Sequence, residues 1–208
     1  MVVSQKELSD MPQRLPQIYL ARHGETAWTI TGQHTGVTDL PLTERGARNA
    51  GRLGQRLRGI SPARVFCSPL ARARQTCELA GFGALAEIDQ DLVEWNYGDF
   101  EGITTADIRE KWPDWHLFRD GCPGGESVPQ IGARADRVIS RLRSLSADVL
   151  VFSSGHFFRV LAARWLGLEP AVGRCLVLDT AALSVLGYEH DLSDPALRLW
   201  NEVRHATE

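Results

Sequence analysis

The segment Gln17–Gly24, QIYLARHG, is a short apolar run that ends abruptly in an arginine, a histidine and a glycine. An apolar run followed by a polar turn is typical of a buried strand that leads into a loop. A second such segment, Asp148–Gly155 (DVLVFSSG), comes late in the chain, and Arg64–Cys67 (RVFC) has a similar pattern. Further strands are predicted at Cys175–Leu178 and Leu183–Tyr188.

Helical patterns stand between these strand candidates. One starts at Thr43, a second covers Leu70–Ala80, and a long amphipathic helix around Val138 precedes the strand that begins at Asp148. Strands that alternate with helices predict an α/β domain, a three-layer αβα sandwich around a mostly parallel sheet. Ligands of such sheets bind beyond the carboxyl ends of the strands, where the polar turns are expected to lie.

The chain is predicted to form one domain over residues 1–208. Residues 1–16 carry two prolines and are expected to be a loose lead-in. Residues 99–128 break the alternation of strands and helices, and we expect them to form a short helical, lid-like insert over the strand ends. The first residues resemble neither a signal peptide nor a membrane anchor, so a cytoplasmic protein without membrane contact is expected.

The composition argues against several classes of partner. The net charge of −3 gives no general attraction to nucleic acid, and the four cysteines lack the spacing of zinc ligands, so neither nucleic acid nor a metal is expected. Only Lys6 and Lys111 of the 23 Lys and Arg residues are lysines. A few arginines are therefore candidates for binding phosphate-like anions. The others are expected to lie on solvated helix faces: Arg48, Arg52, Arg56, Arg134, Arg137 and Arg141.

Residues 22–43, RHGETAWTITGQHTGVTDLPLT, resemble the opening signature of the histidine phosphatase superfamily, in its phosphoglycerate-mutase-like branch. Three further segments extend the resemblance in the right order: SPLARARQT at 68–76, LVEWNYGDFEG at 92–102 and GGES at 124–127. The similarity covers about residues 18–168. In detail it is greatest to sedoheptulose-bisphosphatase-like and broad-specificity acid phosphatases.

The resemblance implies a mechanism without a metal or other cofactor. His23 would attack phosphorus and form a phosphohistidine, while Arg22 and Arg72 clamp the phosphoryl oxygens. Glu94 would act as general acid and then as general base, so that a bell-shaped pH profile tilted towards acid is expected. Thr29 stands where the family usually has asparagine, and its hydroxyl can still donate to phosphate. The further candidates for the substrate pocket are Gln33, His34, Thr35, Gly36 and Tyr97.

One motif departs from the family pattern. The family places a second catalytic histidine five residues before an arginine, and counting back from Arg159 leads to Ser154. His156 lies two residues later. A natural variant, an engineered substitution, or a shifted loop that brings His156 into the gap would each explain this. We expect a serine at the motif position, with Ser154 and His156 both at the phosphate site and a reduced rate.

Three functions are consistent with these residues. The first is a phosphomonoesterase that acts on small phosphorylated metabolites, sugar phosphates above all. A phosphoglycerate mutase is the second, and it is disfavoured because the insert is short and offers few basic residues. The third is a phosphate-ligand-binding protein whose catalysis is weakened by Ser154. The natural substrate and the oligomeric state stay open, a dimer being among the alternatives.

Overall fold

The computed structural model describes residues 14–206, so most of the predicted lead-in lies outside the described residues. Six strands form one sheet in the order β3-β2-β4-β1-β5-β6. Their bounds are β1 (Ile18–Arg22), β2 (Arg64–Cys67), β3 (Ala86–Ile88), β4 (Val149–Ser153), β5 (Leu183–Tyr188) and β6 (Pro195–Glu202). Strands β1 to β4 pair in parallel, and β5 and β6 add an antiparallel edge. The predicted α/β fold with a mostly parallel sheet is confirmed.

The central strands β1 and β4 place their polar turns side by side. They are neighbours in the sheet, and Arg22 pairs in register with Ser153. The chain therefore leaves both strands at the same level, with His23 on one side and Ser154 on the other. This is the carboxyl edge of the parallel strands, where ligands of such sheets bind.

The strand predicted at Cys175–Leu178 is wrong. A 3₁₀ helix covers Pro170–Cys175, and the residues after it form a loop. Both edges of β5 are already occupied by β1 and β6, so this apolar run has no strand to pair with there. The Trp200 indole donates instead to the Val177 carbonyl at 2.6 Å and fastens the loop to β6.

Seven α-helices lie among the described residues, and most begin where a side chain satisfies their first amides. Thr43 and Ser127 accept hydrogen bonds from the third residue of the helices that follow them, as good N-caps do. The helices are α1 (Ala27–Thr31), α2 (Glu44–Arg56), α3 (Ala71–Leu79), α4 (Thr105–Lys111), α5 (Leu117–Asp120), α6 (Val128–Ser144) and α7 (Gly155–Trp165).

The sheet separates two apolar cores. On β4, Val149 and Val151 face one core, which α6, α7 and residues of the insert complete. Leu150 and Phe152 face the other core, against α2 and α3. This alternation follows from the two-residue period of a strand, and it explains why β4 is apolar along nearly its whole length.

The predicted insert lies against residues that follow the central strands. Trp115 packs edge-on against the His34 ring, with centroids 5.7 Å apart, and Phe118 packs against His156 at 5.5 Å. Trp115 and Phe118 are buried in the same core as α6 and α7, whereas Trp112 is half exposed. The insert is thus held to the domain by a small aromatic core, and lid motion stays a prediction.

Candidate active site

A cavity of about 270 Å³ opens at the carboxyl ends of β1 and β4. Nine residues singled out from the sequence line it: Arg22, His23, Thr29, Gln33, His34, Thr35, Glu94, Tyr97 and His156. Trp28, Gly32 and Thr105 also line it without having been proposed as site residues. Trp28 and Gly32 lie within the opening signature, so their position in the motif was the available signal.

His23 is fixed in one tautomer. It is 3% exposed, and its Nδ1 lies 2.7 Å from the Gly24 carbonyl oxygen. A carbonyl can only accept, so Nδ1 carries the proton and Nε2 keeps its lone pair. Burial, reinforced by the charges of Arg72 and Arg22, lowers the pKa of His23 well below its usual value. The ring is therefore neutral and able to act as a nucleophile.

Arg22 reaches the site because α7 begins with a glycine. A Cβ on Gly155 would lie 2.9 Å from the Arg22 Cζ, so a larger residue would push the guanidinium away. The Arg22 Nη1 group donates to the Leu178 carbonyl. Its buried Nε has no partner among the residues described, which leaves a donor for an anion in the cavity.

Arg72 has two tasks in this structure. The side chain is fully buried, and its guanidinium donates to the carbonyls of Thr35, Gly36 and Thr38 at 2.8–3.0 Å. Three of its five N–H groups thus hold the loop after α1. Its buried Nε has no partner within residues 14–206. Arg72 does not line the cavity, so its predicted phosphate contact would use the remaining donors.

Glu94 is bound to the N-terminus of α7. Its Oε1 accepts from the backbone amides of Trp95 and Phe157 at 2.9 and 2.7 Å, and its Oε2 accepts from the His156 amide at 2.9 Å. The amides of His156 and Phe157 belong to the first turn of the helix, where a negative charge is favoured. Glu94 is 4% exposed and still borders the cavity.

This arrangement leaves Ser154 without a partner. Ser154 is the N-cap residue of α7, and an N-cap hydroxyl normally accepts from the second or third amide of its helix. Those two amides donate to Glu94 instead. The Ser154 hydroxyl is fully buried and unbonded within the described part of the chain.

His156 does not take the place of Ser154 by a shifted loop. Ser154 follows β4 directly, and His156 lies in the first turn of α7. The His156 Nδ1 and the Tyr97 hydroxyl are 2.6 Å apart and share a hydrogen bond, while Phe118 packs on the ring. Burial, with help from Arg159, lowers the pKa of His156 well below its usual value. His156 is therefore a neutral wall of the cavity.

The remaining predicted pocket residues are partly occupied by internal bonds. The Thr29 hydroxyl donates to the Thr26 carbonyl at 2.9 Å and accepts from the Thr26 amide, and the Gln33 amide donates to the Gly102 carbonyl at 2.7 Å. Thr35 donates to the Gln33 carbonyl. Gly36 lies behind the wall, between Arg72 and the Glu101 carboxylate, and does not line the cavity.

His34 is an uncharged part of the wall. Burial lowers its pKa to about 4, its ring stacks on Tyr97 at 4.6 Å, and its Nε2 lies 3.2 Å from the Thr105 hydroxyl. The insert that carries Thr105 is thereby joined to the loop after α1.

Arg134 differs from the expectation of a solvated helix face. It is 6% exposed and forms a bidentate ion pair with Glu126 at 2.7–2.8 Å. It also donates to the carbonyls of Asp91, Val93 and Glu94. The buried Arg134 guanidinium therefore stabilises the turn that carries Glu94. Arg137 on the same helix instead pairs with Asp91 at the surface.

Two acidic residues that the sequence did not single out shape the loop around the cavity. Glu101 accepts from the amides of Gly36 and Thr38, and Asp39 accepts from the Ala71 amide at the start of α3. Both belong to segments that carry the resemblance, but their roles depend on partners more than 30 residues away.

Within residues 14–206, no group of three or more His, Cys, Asp and Glu side chains is placed to hold a metal ion. In the same part of the chain, no helix has the length and apolar character needed to cross a membrane.

Comparison with known proteins identifies the family of this chain. Residues 18–203 match the model of the histidine phosphatase superfamily (branch 1). An acid phosphatase of Mycobacterium tuberculosis is 41% identical over 90% of this chain and 94% of its own length. The sedoheptulose 1,7-bisphosphatase of Saccharomyces cerevisiae is 34% identical over 91% of this chain and 94% of its own.

A solved structure leads to the same conclusion. The product of an open reading frame of Mycobacterium tuberculosis superimposes with a TM-score of 0.86 at 39% identity, covering 91% of this chain and 99% of the other. The chain belongs to the histidine phosphatase superfamily and is a phosphatase of that family.

Proposed function

We propose that this protein is a metal-independent phosphomonoesterase that hydrolyses small phosphorylated metabolites, sugar phosphates above all, through a phosphohistidine on His23. The observation that carries the proposal is the fixed tautomer of His23. The Nε2 atom of His23 is unprotonated, and the positive charges of two nearby arginines help to keep the ring neutral. Glu94 lines the same cavity as His23. The relatives named as an acid phosphatase and a sugar bisphosphatase support the substrate class.

The first step transfers the phosphoryl group to the enzyme. The Nε2 lone pair of His23 attacks phosphorus, the ester P–O bond breaks, and Arg22 and Arg72 balance the charge of the phosphoryl oxygens. The leaving alkoxide takes a proton from Glu94. Oε1 already accepts two amide hydrogen bonds and Oε2 only one, so Oε2 has the free lone pair that can carry this proton.

The second step releases the phosphate. Glu94, now ionised, removes a proton from water as the water oxygen attacks phosphorus and the N–P bond breaks. The electron pair of that bond returns to Nε2, and His23 is neutral again. In this scheme the guanidinium groups supply the positive charge, and the α7 amides hold the Glu94 carboxyl in place.

The lowered pKa of His23 predicts the pH range in which the enzyme becomes active as the pH is raised. A histidine with an ordinary pKa would become protonated, and lose its lone pair, as the pH falls below about 6.5. His23 stays neutral to well below that pH, so the acid-side limb that it controls in kcat/KM lies below pH 6.5.

Ser154 motivates a second candidate, a phosphate-binding protein with weakened catalysis. A buried hydroxyl that has no hydrogen bond among residues 14–206 stands at the position of the family's second histidine, and Ser154 does not line the cavity, so it stabilises the phosphoryl group less than a histidine would. Loss of one charge-stabilising donor typically lowers kcat by roughly 10²- to 10³-fold. A phosphoglycerate mutase remains the third candidate.

One experiment separates these functions. The protein is incubated with p-nitrophenyl phosphate and with 3-phosphoglycerate, with a chelator present, across pH 4–8. His23→Ala is the test variant and His190→Ala, at an exposed histidine, is the matched control. Release of phosphate that His23→Ala alone abolishes supports the phosphatase. Formation of 2-phosphoglycerate supports the mutase, and binding without turnover supports the weakened binding protein.

A further inference from the structure

The loop before β5 holds Arg22 and His23 from one side, and the mechanism above assigns it no task. The Arg22 Nη1 group donates to the Leu178 carbonyl, and the Arg22 backbone amide donates to the Ala182 carbonyl at 3.0 Å. The Ala181 amide donates to the His23 carbonyl, also at 3.0 Å. The position of this loop therefore sets the position of both residues.

A single carbonyl fixes the Arg22 guanidinium. Within the described chain, the Leu178 oxygen is the only hydrogen-bond acceptor of this group, and the buried Nε of Arg22 has no partner. Burial lowers the pKa of Arg22, and the negative charges of Glu94 and, to a smaller extent, Asp179 oppose that effect. An arginine side chain has many rotatable bonds, so the orientation of the Leu178 carbonyl decides where the other N–H groups of Arg22 point.

The Leu178 carbonyl belongs to a peptide group whose N–H is bound by Asn201. The Asp179 amide donates to the Asn201 Oδ1 at 2.7 Å, and the Asn201 Nδ2 donates to the Asp179 Oδ2 at 2.8 Å. A backbone amide only donates and a carboxylate only accepts, so the Asn201 side chain has one possible orientation. Since a peptide group is planar, holding its N–H also aims its carbonyl at Arg22.

Asn201 reaches the loop because β6 contains a β-bulge. The register between β5 and β6 shifts there, so that Ser184 of β5 lies opposite both Trp200 and Asn201. The Asn201 backbone has a left-handed φ of 54°, which Asn tolerates better than most residues, and its amide donates to the Ser184 hydroxyl at 3.1 Å. Bulges re-aim side chains and are common beside active sites. The bulge therefore directs the Asn201 side chain to Asp179.

Two further contacts hold the loop on either side of Asp179. The Trp200 indole donates to the Val177 carbonyl at 2.6 Å, and the His205 Nε2 donates to the Ala181 carbonyl at 2.8 Å. Ala181 has a φ of 58°, which costs energy in a residue with a Cβ and persists only where the surroundings hold it. Side chains of β6 and of the residues after it thus fix the loop at every second position from 177 to 181.

We propose that Asn201 is a positioning residue of the phosphatase reaction, which holds the peptide group after Leu178 so that Arg22 directs its free N–H groups at the phosphoryl group. The inference rests on the proposed function and adds to it a residue that does not line the cavity. Asn201 also lies outside the segments that carry the family resemblance. A misplacement of about 1 Å at a reacting site can lower the rate by roughly 10²-fold, so loss of the Asn201 side chain should lower kcat/KM by roughly 10- to 10²-fold.

Asn201→Gly tests the proposal directly. It removes the side chain and preserves the backbone, because glycine adopts a positive φ without steric cost. Initial rates with p-nitrophenyl phosphate, taken well below the Tm of each variant, should show the loss in kcat/KM. Arg198→Ala is the matched control, since it removes a surface ion pair with Glu189 from the same strand, and it should leave kcat/KM unchanged. An unchanged kcat/KM in a folded Asn201→Gly protein would overturn the proposal.

The same substitution in a protein without Arg22 separates positioning from general support of the fold. If Asn201 acts through Arg22, the loss of kcat/KM caused by Asn201→Gly should nearly vanish in an Arg22→Met background. A purely structural role would lower kcat/KM by the same factor in both backgrounds, and that result would contradict the proposal. Where Arg22→Met is too slow to assay, the affinity for inorganic phosphate replaces kcat/KM in the comparison.

Exchange of the two paired side chains provides a rescue. Asn201→Asp alone brings two carboxylates within hydrogen-bond distance of each other, so the pair should separate and kcat/KM should fall. Asn201→Asp combined with Asp179→Asn places a donor opposite an acceptor again and keeps the net charge, so it should recover most of kcat/KM. A single variant with the wild-type rate, or a double variant as slow as the single one, would reject this pair as the positioning contact.

Binding distinguishes failure of this inference from failure of the proposed function. Calorimetry with inorganic phosphate needs no turnover, and Asn201→Gly should bind phosphate about 10-fold more weakly than the wild-type protein and Arg198→Ala do, the effect of one charge-assisted hydrogen bond. Such weakening would uphold the positioning role even if the wild-type protein hydrolysed no ester. Equal affinities, together with full hydrolysis by Asn201→Gly, would leave the phosphatase standing and reject the role of Asn201.

Discussion

The turns after β1 and β4 lie side by side in the sheet but are bonded in opposite ways. After β1, the His23 ring donates to the Gly24 carbonyl, and its backbone bonds to Ser153 and Ala181. After β4, the Ser154 hydroxyl is buried and has no hydrogen-bond partner among residues 14–206. The first turn therefore holds its catalytic side chain by a hydrogen bond without a ligand, whereas the side chain of Ser154 in the second turn makes no such bond among the described residues.

The difference arises because the first backbone amides of α7 donate to Glu94 and not to Ser154. At the start of α7 the two amides that an N-cap hydroxyl would normally bind donate to Glu94. The carboxyl is thus held by the helix, and residue 154 is free of a capping role. A histidine there could turn towards the phosphoryl group without weakening the helix, and a serine has too short a side chain to replace it.

Among the substitutions at the two turns and the residues that support them, Glu94→Gln should cause the largest change, a loss of kcat. An amide cannot supply the proton, and its NH2 group would face amide donors where a carboxyl oxygen now accepts. We expect kcat for an alkyl phosphate to fall by roughly 10²- to 10⁴-fold, the usual contribution of general acid–base catalysis. Phosphate release from glycerol phosphate measures it.

The leaving group provides the control for that prediction. A p-nitrophenolate ion leaves without a proton, so p-nitrophenyl phosphate should lose much less in the first step than glycerol phosphate does. Equal losses for both substrates would mean that Glu94 only supports the structure of α7.

The support beneath Glu94 can be broken separately. Arg134→Met leaves the Glu126 carboxylate and three backbone carbonyls without their buried donor, and should cost about 3–5 kcal/mol of the free energy of unfolding. Arg137→Met, on the same helix, removes a surface ion pair and should cost less than about 1 kcal/mol. Urea unfolding at neutral pH measures both. Similar losses would contradict the assignment of Arg134 as the fastening of this turn.

Restoring a histidine in the turn after β4 should increase activity. Ser154→His adds a donor aimed at the phosphoryl group, and we expect kcat to rise by roughly 10²- to 10³-fold. Ser154→Phe is the size control, because it adds a ring without a donor and should give no gain. If Ser154→His left kcat unchanged in a folded protein, the serine would not be the cause of reduced turnover.

How far the sequence could predict these features depends on the range of the contacts. β1 and β4 were visible because both faces of each strand are buried, and His23 and Glu94 lie in motifs with fixed spacing. Arg134 was misjudged because helix periodicity shows which face is polar but not whether carbonyls of another segment await a donor there. Strand β6 was missed for a related reason, since its residues are nearly all half-buried and carry no strong pattern, and it forms by pairing with β5.

The cavity that Arg109, Arg159 and Arg174 line also depends on contacts between distant parts of the chain. Arg109 and Arg174 are 65 positions apart in the printed sequence, each in an unremarkable segment, and only folding brings them to one wall. Local patterns cannot show that they lack carboxylate partners among residues 14–206.

The smallest expected effect concerns the unpartnered hydroxyl itself. Ser154→Ala removes a buried polar group that has no hydrogen bond within the part of the chain that the structure describes, and since Glu94 already accepts from the first amides of α7, no capping bond is lost. We expect the free energy of unfolding to rise by about 1 kcal/mol, or Tm by roughly 2–4 °C. Ser127→Ala, at the true N-cap of α6, should instead lose about 1 kcal/mol. Opposite signs at two N-cap serines, measured by thermal unfolding, would establish that a carboxylate caps α7, whereas a loss at both would return that role to Ser154.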